Sequence, residues 1–180
     1  MNTFIALLRG INVGGHKKVP MADLRSLIEK LGLKNVRTYI QTGNIFFETV
    51  ESDRVKLTLL IENGIKDHFR FEVPVIIKTS KEIDAIIKAC PFPEAKKMKS
   101  YFSIFSKKPD KQLIEESNKI SYPGEEFVIT PYAVYFFCAA GYGRVKFNMN
   151  YFERKLKVAS TTRNYKTMMK LLSLSEDKTA

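Results

Sequence analysis

The sequence predicts an α+β protein with two similar halves, each an antiparallel sheet with helices on one face. In residues 1–79, apolar alternation and stripes of helical spacing follow one another in the order β-α-β-β-α-β, which is the ferredoxin-like, or split βαβ, unit. After residue 100 the order β-α-β-β-α begins again. The 180-residue chain suits one domain or two small subdomains sharing a core.

The first strand and helix of the first half are marked by clear signals. Phe4–Leu8 is an apolar run of the length of a buried strand and too short for a membrane span. Pro20 suits the first turn of a helix, and Gly32 suits its C-terminal end. The apolar stripe between them consists of Met21, Leu24, Leu27, Ile28 and Leu31.

A hairpin, a second helix and a fourth strand complete this half. Strands Val36–Gln41 and Asn44–Thr49 meet at Thr42-Gly43, where Gly43 supplies the positive φ of a tight turn. Asp53 is an expected N-cap for the next helix. Val73–Lys78 is then expected to be a strand.

Residues 80–99 are expected to join the halves. A helix starts at Thr79 or Ser80 and ends at Pro91 and Pro93, and a basic connector, Glu94–Lys99, follows. The predicted organisation is therefore a first subdomain over 1–79, a linking helix and connector over 80–99, and a second subdomain over 100–180.

The second half repeats the pattern without obvious sequence identity to the first. A strand is expected at Ser100–Ser106, and a hairpin is expected across Pro131-Tyr132. The expected helix starts are Pro109, Asn148 as an N-cap and Thr162 as an N-cap.

The charge and composition of the chain indicate which kinds of ligand and which cellular location to expect. The net charge is +11 and the pI about 9.6, so the surface should attract polyanions or phosphorylated small molecules. Cys90 and Cys138 lie in apolar sequence, as is typical of buried thiols in a reducing cytosol, and the N-terminus lacks the features of a signal peptide. His16 and His68 show no metal-ligand spacing. We expect a cytoplasmic protein with no metal, cofactor or membrane association.

Five segments of the chain resemble the family named domain of unknown function 1697. They are LLRGINVGG (7–15), KVPM (18–21), TYIQTGN (38–44), TTRN (161–164) and KTMMKLL (166–172). The similarity runs essentially from end to end. It implies two ferredoxin-like halves in a bacterial cytoplasmic protein, and it implies no particular reaction.

The loop Arg9–Lys18 is the first candidate site because it combines glycines and cations after a buried strand. Backbone N–H groups and positive charge suit an anion there. The loop lacks the GxxxxGK[ST] pattern of a P-loop. The alternative is that its glycines only turn the chain and its lysines are solvated. The candidate ligand-binding residues in this loop are Arg9, Gly10, Asn12, Gly14, Gly15 and Lys18.

Carboxamides elsewhere extend the candidate set. Gln41 and Asn44 flank the hairpin turn. The first and third strands of a split βαβ unit are adjacent, so Asn44 is expected near Arg9. An arginine with two carboxamides can recognise a phosphate, a carboxylate or a base edge. The alternative is that Gln41 and Asn44 satisfy backbone groups of their turn. Arg163 and Asn164 form a second candidate set.

The C-terminal part of the chain interleaves cations with aromatics, as single-strand nucleic-acid surfaces do. The alternative, favoured by helical spacing, is that the aromatics belong to the core. The cations are Arg144, Lys146, Arg154, Lys155, Lys157, Arg163, Lys166 and Lys170, and the aromatics are Tyr142, Phe147, Tyr151, Phe152 and Tyr165.

These observations favour binding of a phosphate-bearing ligand, a nucleotide or a nucleic acid, at the loop after the first strand. Two alternatives stay open. One is a small enzyme acting on a phosphorylated or carboxylated metabolite at the same place, although no nucleophile motif such as GxSxG is present. The other is a protein-interaction module that uses an open sheet face.

Overall fold

The computed structural model describes residues 1–139 and 146–176, which contain eight strands and seven helices. The elements of the first half and the link are β1 (Asn2–Leu8), α1 (Met21–Lys30), β2 (Lys34–Tyr39), β3 (Asn44–Thr49), α2 (Arg54–Phe69), β4 (Val75–Lys78), α3 (Ser80–Lys88) and α4 (Glu94–Lys97). Those of the second half are β5 (Tyr101–Phe105), α5 (Lys111–Ser117), β6 (Glu125–Ile129), β7 (Ala133–Cys138), α6 (Met149–Leu156), β8 (Ser160–Asn164) and α7 (Tyr165–Glu176).

Both sheets are antiparallel, with the orders β2-β3-β1-β4 and β6-β7-β5-β8. Each order places the first and third strands of its half in the centre, as in the split βαβ unit. The predicted α+β class with two ferredoxin-like halves is therefore confirmed. The packing divides the chain into two compact units, one of residues 1–83 with the chain from residue 171, and one of residues 84–170.

The second half contains a strand that the sequence did not predict. Strand β8 pairs with β5 from Tyr101 opposite Asn164 to Phe105 opposite Ser160. Its sequence is polar, so no hydrophobic alternation marked it, and Thr162 was wrongly expected to cap the last helix. The cap is Asn164, whose Oδ1 accepts a hydrogen bond from the N–H of Thr167 at 2.8 Å.

Other helix starts follow the sequence more closely. Asp53 accepts from the N–H groups of Val55 and Lys56, and Asn148 caps α6 in the same way, as predicted. Asp110 caps α5, which begins at Lys111, so the expectation that Pro109 opens this helix was two residues early. Asp and Asn side chains satisfy N–H groups that a helix start leaves unpaired.

The core of the first unit lies between its sheet and helices α1 and α2. Phe4, Ala6 and Leu8 of β1 point into this core. The opposite face of the sheet was expected to be open, and that expectation was wrong. The side chains on it are buried: Ile5, Leu7, Phe46 and Ile76. Strand β1 is apolar on both faces, as is typical of a strand covered on both sides.

The second unit has its own aromatic core on one face of its sheet. Phe136 stacks on Phe147 with ring centroids 4.7 Å apart, and Phe147 stacks on Phe152 at 5.0 Å. On the other face the hydroxyl of Tyr135 donates to the carbonyl of Ile86 in α3 at 2.7 Å. No helix among the described residues is both long and apolar enough to span a membrane.

Candidate functional site

The segment after β1 is a small hairpin rather than an open loop. Gly14 and Gly15 have φ of 57° and 78°, and the N–H of His16 donates to the carbonyl of Val13 at 3.0 Å. Two central residues with positive φ define a type I′ turn, for which Gly-Gly is a favoured sequence. The glycine pair is thus explained by the turn, and the dipeptide was the signal that would have predicted this hairpin.

The side chain of Asn12 holds the base of this hairpin. Its Oδ1 accepts from the N–H of Val19 at 2.8 Å, and its Nδ2 donates to the carbonyls of Val19 at 3.0 Å and of Gln41 at 2.8 Å. The backbone of Asn12 is itself left-handed, with φ of 54°, a conformation that asparagine tolerates better than most residues. Asn12 therefore fixes the segment between β1 and α1 against the turn after β2.

The turn between β2 and β3 is closed by Asn44. This side chain is fully buried, and its Nδ2 donates to the carbonyl of Tyr39 at 2.9 Å and the hydroxyl of Thr42 at 3.2 Å. Gly43 has the expected positive φ, 82°, and a Cβ there would lie 2.7 Å from side-chain atoms of Leu8 and Ile11. Asn44 therefore serves the turn, and the turn packs tightly on the end of β1.

An open cleft of about 330 Å³ lies between the hairpin, this turn and the start of α1. The residues that line it are Asn12, Gly15, Lys18, Val19, Pro20, Met21 and Gln41. The side chains of Lys18 and Gln41 are exposed. The Lys18 ammonium forms no ion pair or hydrogen bond with any residue in 1–139 or 146–176. The cleft is thus the place where part of the predicted set meets solvent.

Four candidates of the same set lie outside the lining of the cleft. Arg9 is half-buried at the end of β1, and its N–H donates to the carbonyl of Pro74 at 3.0 Å. Gly10 and Gly14 are exposed with φ of 70° and 57°, and Asn44 is buried. The structure therefore brings Asn12, Gly15, Lys18 and Gln41 together at the cleft.

The ammonium of Lys17, the residue before Lys18, is hydrogen-bonded within the protein. Its Nζ donates to the carbonyl of Glu72 at 2.7 Å and lies 6.0 Å from the centroid of the Phe71 ring. The Glu72 carboxylate in turn pairs with Lys66 at 2.8 Å. The hairpin is thereby attached to the segment before β4 by a lysine that the sequence grouped with Lys18.

The second candidate set lies in the second unit. Arg163 is buried in β8, where Nη1 donates to the hydroxyl of Thr161 and the carbonyl of Thr162, both at 3.0 Å. Burial lowers the pKa of this guanidinium to about 10. Asn164 is the cap of α7 described above. Both side chains thus make structural contacts within their own unit.

The interleaved cations and aromatics separate only in part, because Tyr151 is exposed whereas two of the phenylalanines are buried. Phe147 and Phe152 are core residues, as the alternative interpretation expected, whereas Lys146, Arg154 and Lys157 are exposed. Tyr165 is half-buried, with its hydroxyl 3.3 Å from a Glu94 carboxylate oxygen. Tyr142 and Arg144 lie outside the described residues.

The described residues offer no obvious metal centre or reactive thiol. No group of three or more His, Cys, Asp or Glu side chains in residues 1–139 and 146–176 could hold a metal ion. Cys90 and Cys138 are free and buried, and burial raises the pKa of the Cys90 thiol. A protonated, buried thiol is a poor nucleophile.

Comparison with known proteins agrees with this fold. The model of the family described as "Protein of unknown function (DUF1697)" matches residues 1–135. The chain belongs to this family. It is also similar over 97% of its length to the solved structure of conserved bacterial protein SP0830 from Streptococcus pneumoniae, 98% of which is covered, with 25% identity and a TM-score of 0.75. No curated protein matches the chain.

The predicted membership of DUF1697 is confirmed, and with it the resemblance carried by the RGINVGG and YIQTGN motifs. Much of both motifs has a structural role in this member. Asn12, Gly14 and Gly15 build the hairpin, and Gly43 and Asn44 build the turn that it contacts. In this DUF1697 protein the two motifs border the cleft, which leaves Lys18 and Gln41 exposed to solvent.

Proposed function

We propose that the cleft between the hairpin, the β2–β3 turn and α1 binds a phosphate-bearing small ligand, with a nucleotide as the first class to test. The observation that carries this proposal is the convergence of Lys18, Gln41 and Gly15 on one open cleft. The ammonium of Lys18 has no acidic partner among the described residues, so its charge is available to an anion.

The backbone adds donors to these side chains. The N–H of Gly15 makes no hydrogen bond to a described residue, and α1 begins at Met21 with no side-chain cap from Pro20. The first N–H groups of a helix and the positive end of its dipole favour an anion. Asp23 in the first turn of α1 opposes this effect, so Lys18 supplies the main attraction and Gln41 orients the ligand.

The size and lining of the cleft favour binding of a small molecule. A volume of about 330 Å³ lies at the lower end of the ~300–1,000 Å³ typical of small-ligand sites. Val19, Pro20 and Met21 give it an apolar wall beside the polar groups, which suits a ligand with both a phosphate and a less polar body. A polynucleotide would engage this cleft through one phosphate at a time.

The two other function classes have less support from the described residues. None of the residues lining the cleft is a carboxylate, histidine, cysteine or hydroxyl residue. The amine of Lys18 is the one side chain of this lining that could serve an enzyme as a base or nucleophile, and it would need to lose its proton first. The sheet face of the first unit that an interaction module would use is buried. Binding is therefore the function that this geometry favours.

A thermal-shift screen of nucleotides and sugar phosphates tests the proposal. A ligand at about one hundred times its dissociation constant should stabilise the protein by ~2.7 kcal/mol. The variant Lys18→Gln should weaken binding roughly tenfold or more, because a charge-assisted hydrogen bond contributes about 1.5–3 kcal/mol. Lys30→Gln removes the same charge at the other end of α1 and serves as the matched control.

The proposal would be wrong if no phosphate-bearing compound shifted the melting temperature. It would also be wrong if Lys18→Gln and Lys30→Gln lost the same affinity, since the effect would then be one of overall charge. Phosphorus NMR of any ligand found in the screen would show turnover if the cleft belongs to an enzyme.

A further inference from the structure

Three segments that are distant in sequence meet at one end of the sheet of the second unit. The loop Ser106–Lys108 follows β5, the segment Lys157–Ala159 precedes β8, and Tyr132 precedes β7. The N–H of Ser106 donates to the carbonyl of Ala159 at 2.9 Å, and the N–H of Phe105 donates to the carbonyl of Tyr132 at 3.3 Å. Because β7, β5 and β8 are neighbours, the three segments lie side by side over about 10 Å.

The side chains presented there are basic and aromatic. Lys107, Lys108 and Lys157 are exposed, and Tyr132 is 43% exposed. The Nζ of Lys108 lies 5.4 Å from the centroid of the Tyr132 ring, within cation–π range. We call these four residues the lysine–tyrosine surface.

Acidic groups near this surface are already engaged. The Asp110 carboxylate, two residues beyond Lys108, caps α5 through the N–H groups of Gln112 and Leu113. The Glu153 carboxylate, four residues before Lys157, accepts hydrogen bonds from the N–H and the hydroxyl of Ser160 at 2.6 and 2.9 Å. None of the three lysines of the surface pairs with a carboxylate among the described residues, so their charge faces solvent.

The charge of the whole protein is concentrated in the same unit. Residues 84–170 hold sixteen lysines and arginines against eight aspartates and glutamates, which is +8 of the net +11. A field of this size concentrates polyanions near the unit. The lysine–tyrosine surface combines this positive charge with an exposed aromatic ring. Binding of a simple anion would use the charge but not the ring.

We infer that the lysine–tyrosine surface binds single-stranded nucleic acid, independently of the cleft in the first unit. The lysines neutralise successive phosphates, and Tyr132 provides a ring on which an unpaired base stacks. A duplex hides the faces of its bases, and this surface is made of loops and offers no helix for a major groove. A single strand is therefore the form of polyanion that uses both features.

Fluorescence anisotropy with a labelled oligothymidylate tests the inference; roughly 15 nucleotides is enough, because such sites cover ~4–16 nucleotides. The full chain should bind, with affinity falling linearly on a log–log plot against salt. Tyr132→Leu should weaken binding between about fivefold and one-hundredfold, the range of one stacked base. Tyr132→Phe keeps the ring and should retain the affinity.

Removing the charges tests the other half of the inference. The triple variant Lys107→Gln, Lys108→Gln and Lys157→Gln should reduce the steepness of the salt dependence by about 2, because each phosphate contact on a single strand contributes ~0.7. Lys119→Gln and Tyr151→Leu are matched controls, since both residues are exposed and lie in the same unit. Circular dichroism establishes that every variant is folded.

Three results would overturn the inference. The first is absence of oligothymidylate binding, with or without binding to vesicles of anionic lipid. The second is equal affinity for the protein, Tyr132→Leu and the triple-lysine variant. The third is loss of oligothymidylate binding in Lys18→Gln, which would instead place the nucleic acid at the cleft of the first unit. A failure of the nucleotide screen alone leaves this inference unaffected.

Discussion

The Nδ2 of Asn12 donates to the backbone carbonyl of Gln41 at 2.8 Å and so joins two segments that are 29 residues apart. The same carboxamide exchanges two hydrogen bonds with the backbone of Val19. Two walls of the cleft, the hairpin and the β2–β3 turn, are therefore held together by one side chain that the sequence suggested as a ligand contact.

Asn12→Ala should destabilise the protein by about 2–4 kcal/mol. Three hydrogen bonds are lost at ~1 kcal/mol each, and alanine at a positive φ adds about 1 kcal/mol. Asn12→Gly loses the same bonds without the backbone strain, so it should be less destabilised than the alanine variant. Urea denaturation of both variants measures the difference. Wild-type stability in Asn12→Ala would show that the hydrogen bonds of the Asn12 side chain contribute nothing to the free energy of unfolding.

Gly43→Ala should lower the free energy of unfolding more than most substitutions that add a single methyl group to the first unit. The new Cβ would lie 2.7 Å from side-chain atoms of both Leu8 and Ile11, in addition to its φ of 82°. Overpacking in a tight core costs about 1–3 kcal/mol beyond the strain. Gly32→Ala is the matched control, with φ of 87° and nothing within 4 Å. Equal free energies of unfolding for the two variants would contradict the packing argument.

Asn164→Ala should lower the free energy of unfolding by roughly 1 kcal/mol, the usual contribution of an N-cap. The Oδ1 of Asn164 accepts from the N–H of Thr167 at 2.8 Å, and aspartate can make the same bond. Asn164→Asp should therefore retain wild-type stability in thermal denaturation. Equal losses in the alanine and aspartate variants would show that the side chain acts in another way.

Glu82 should make the stability of the protein sensitive to acid. Burial raises the pKa of its carboxyl, but hydrogen bonds from Arg54 at 2.8 Å, and from the N–H and hydroxyl of Thr79 at 2.8 and 3.0 Å, outweigh burial and lower the pKa. A lowered folded-state pKa gives stability that is present above the unfolded-state pKa. That stability is lost as the pH falls through the folded-state value.

The stability advantage of the wild type over Glu82→Gln should accordingly shrink from pH 7 towards pH 3. Denaturation across this range measures it, and Glu29→Gln on α1 controls for the loss of one exposed carboxylate. A constant difference between wild type and Glu82→Gln at all pH values would show that ionisation of Glu82 does not stabilise the fold.

The elements with strong local signals were predictable. Asp53 and Asn148 cap the helices that their positions indicated, and Gly43 turns the chain with the positive φ expected of it. Strand β8 was missed because Ser160–Asn164 has no apolar alternation, and only its pairing with β5 makes it a strand. Backbone pairing depends on the partner strand, which local sequence does not contain.

The cleft, too, was predictable from the sequence only in part. The sequence placed Arg9 near Asn44 through the order of strands in a split βαβ unit, and neither residue lines the cleft that Asn12, Lys18 and Gln41 share. It did not show that Asn12 and Asn44 would direct their carboxamides at their own backbone. That choice depends on which buried carbonyls and N–H groups lack partners once the chain is folded.

The sequence by itself determined the α+β class, the two halves and the +11 charge, because periodicity, turn residues and composition are local properties. Tertiary structure decided which of the cations face solvent. Lys18, Lys108 and Lys157 are exposed, whereas Lys17 is bonded to the backbone of Glu72 and Arg163 is buried. The availability of a charge for a partner depends on contacts between distant segments, and these exist only in the folded chain.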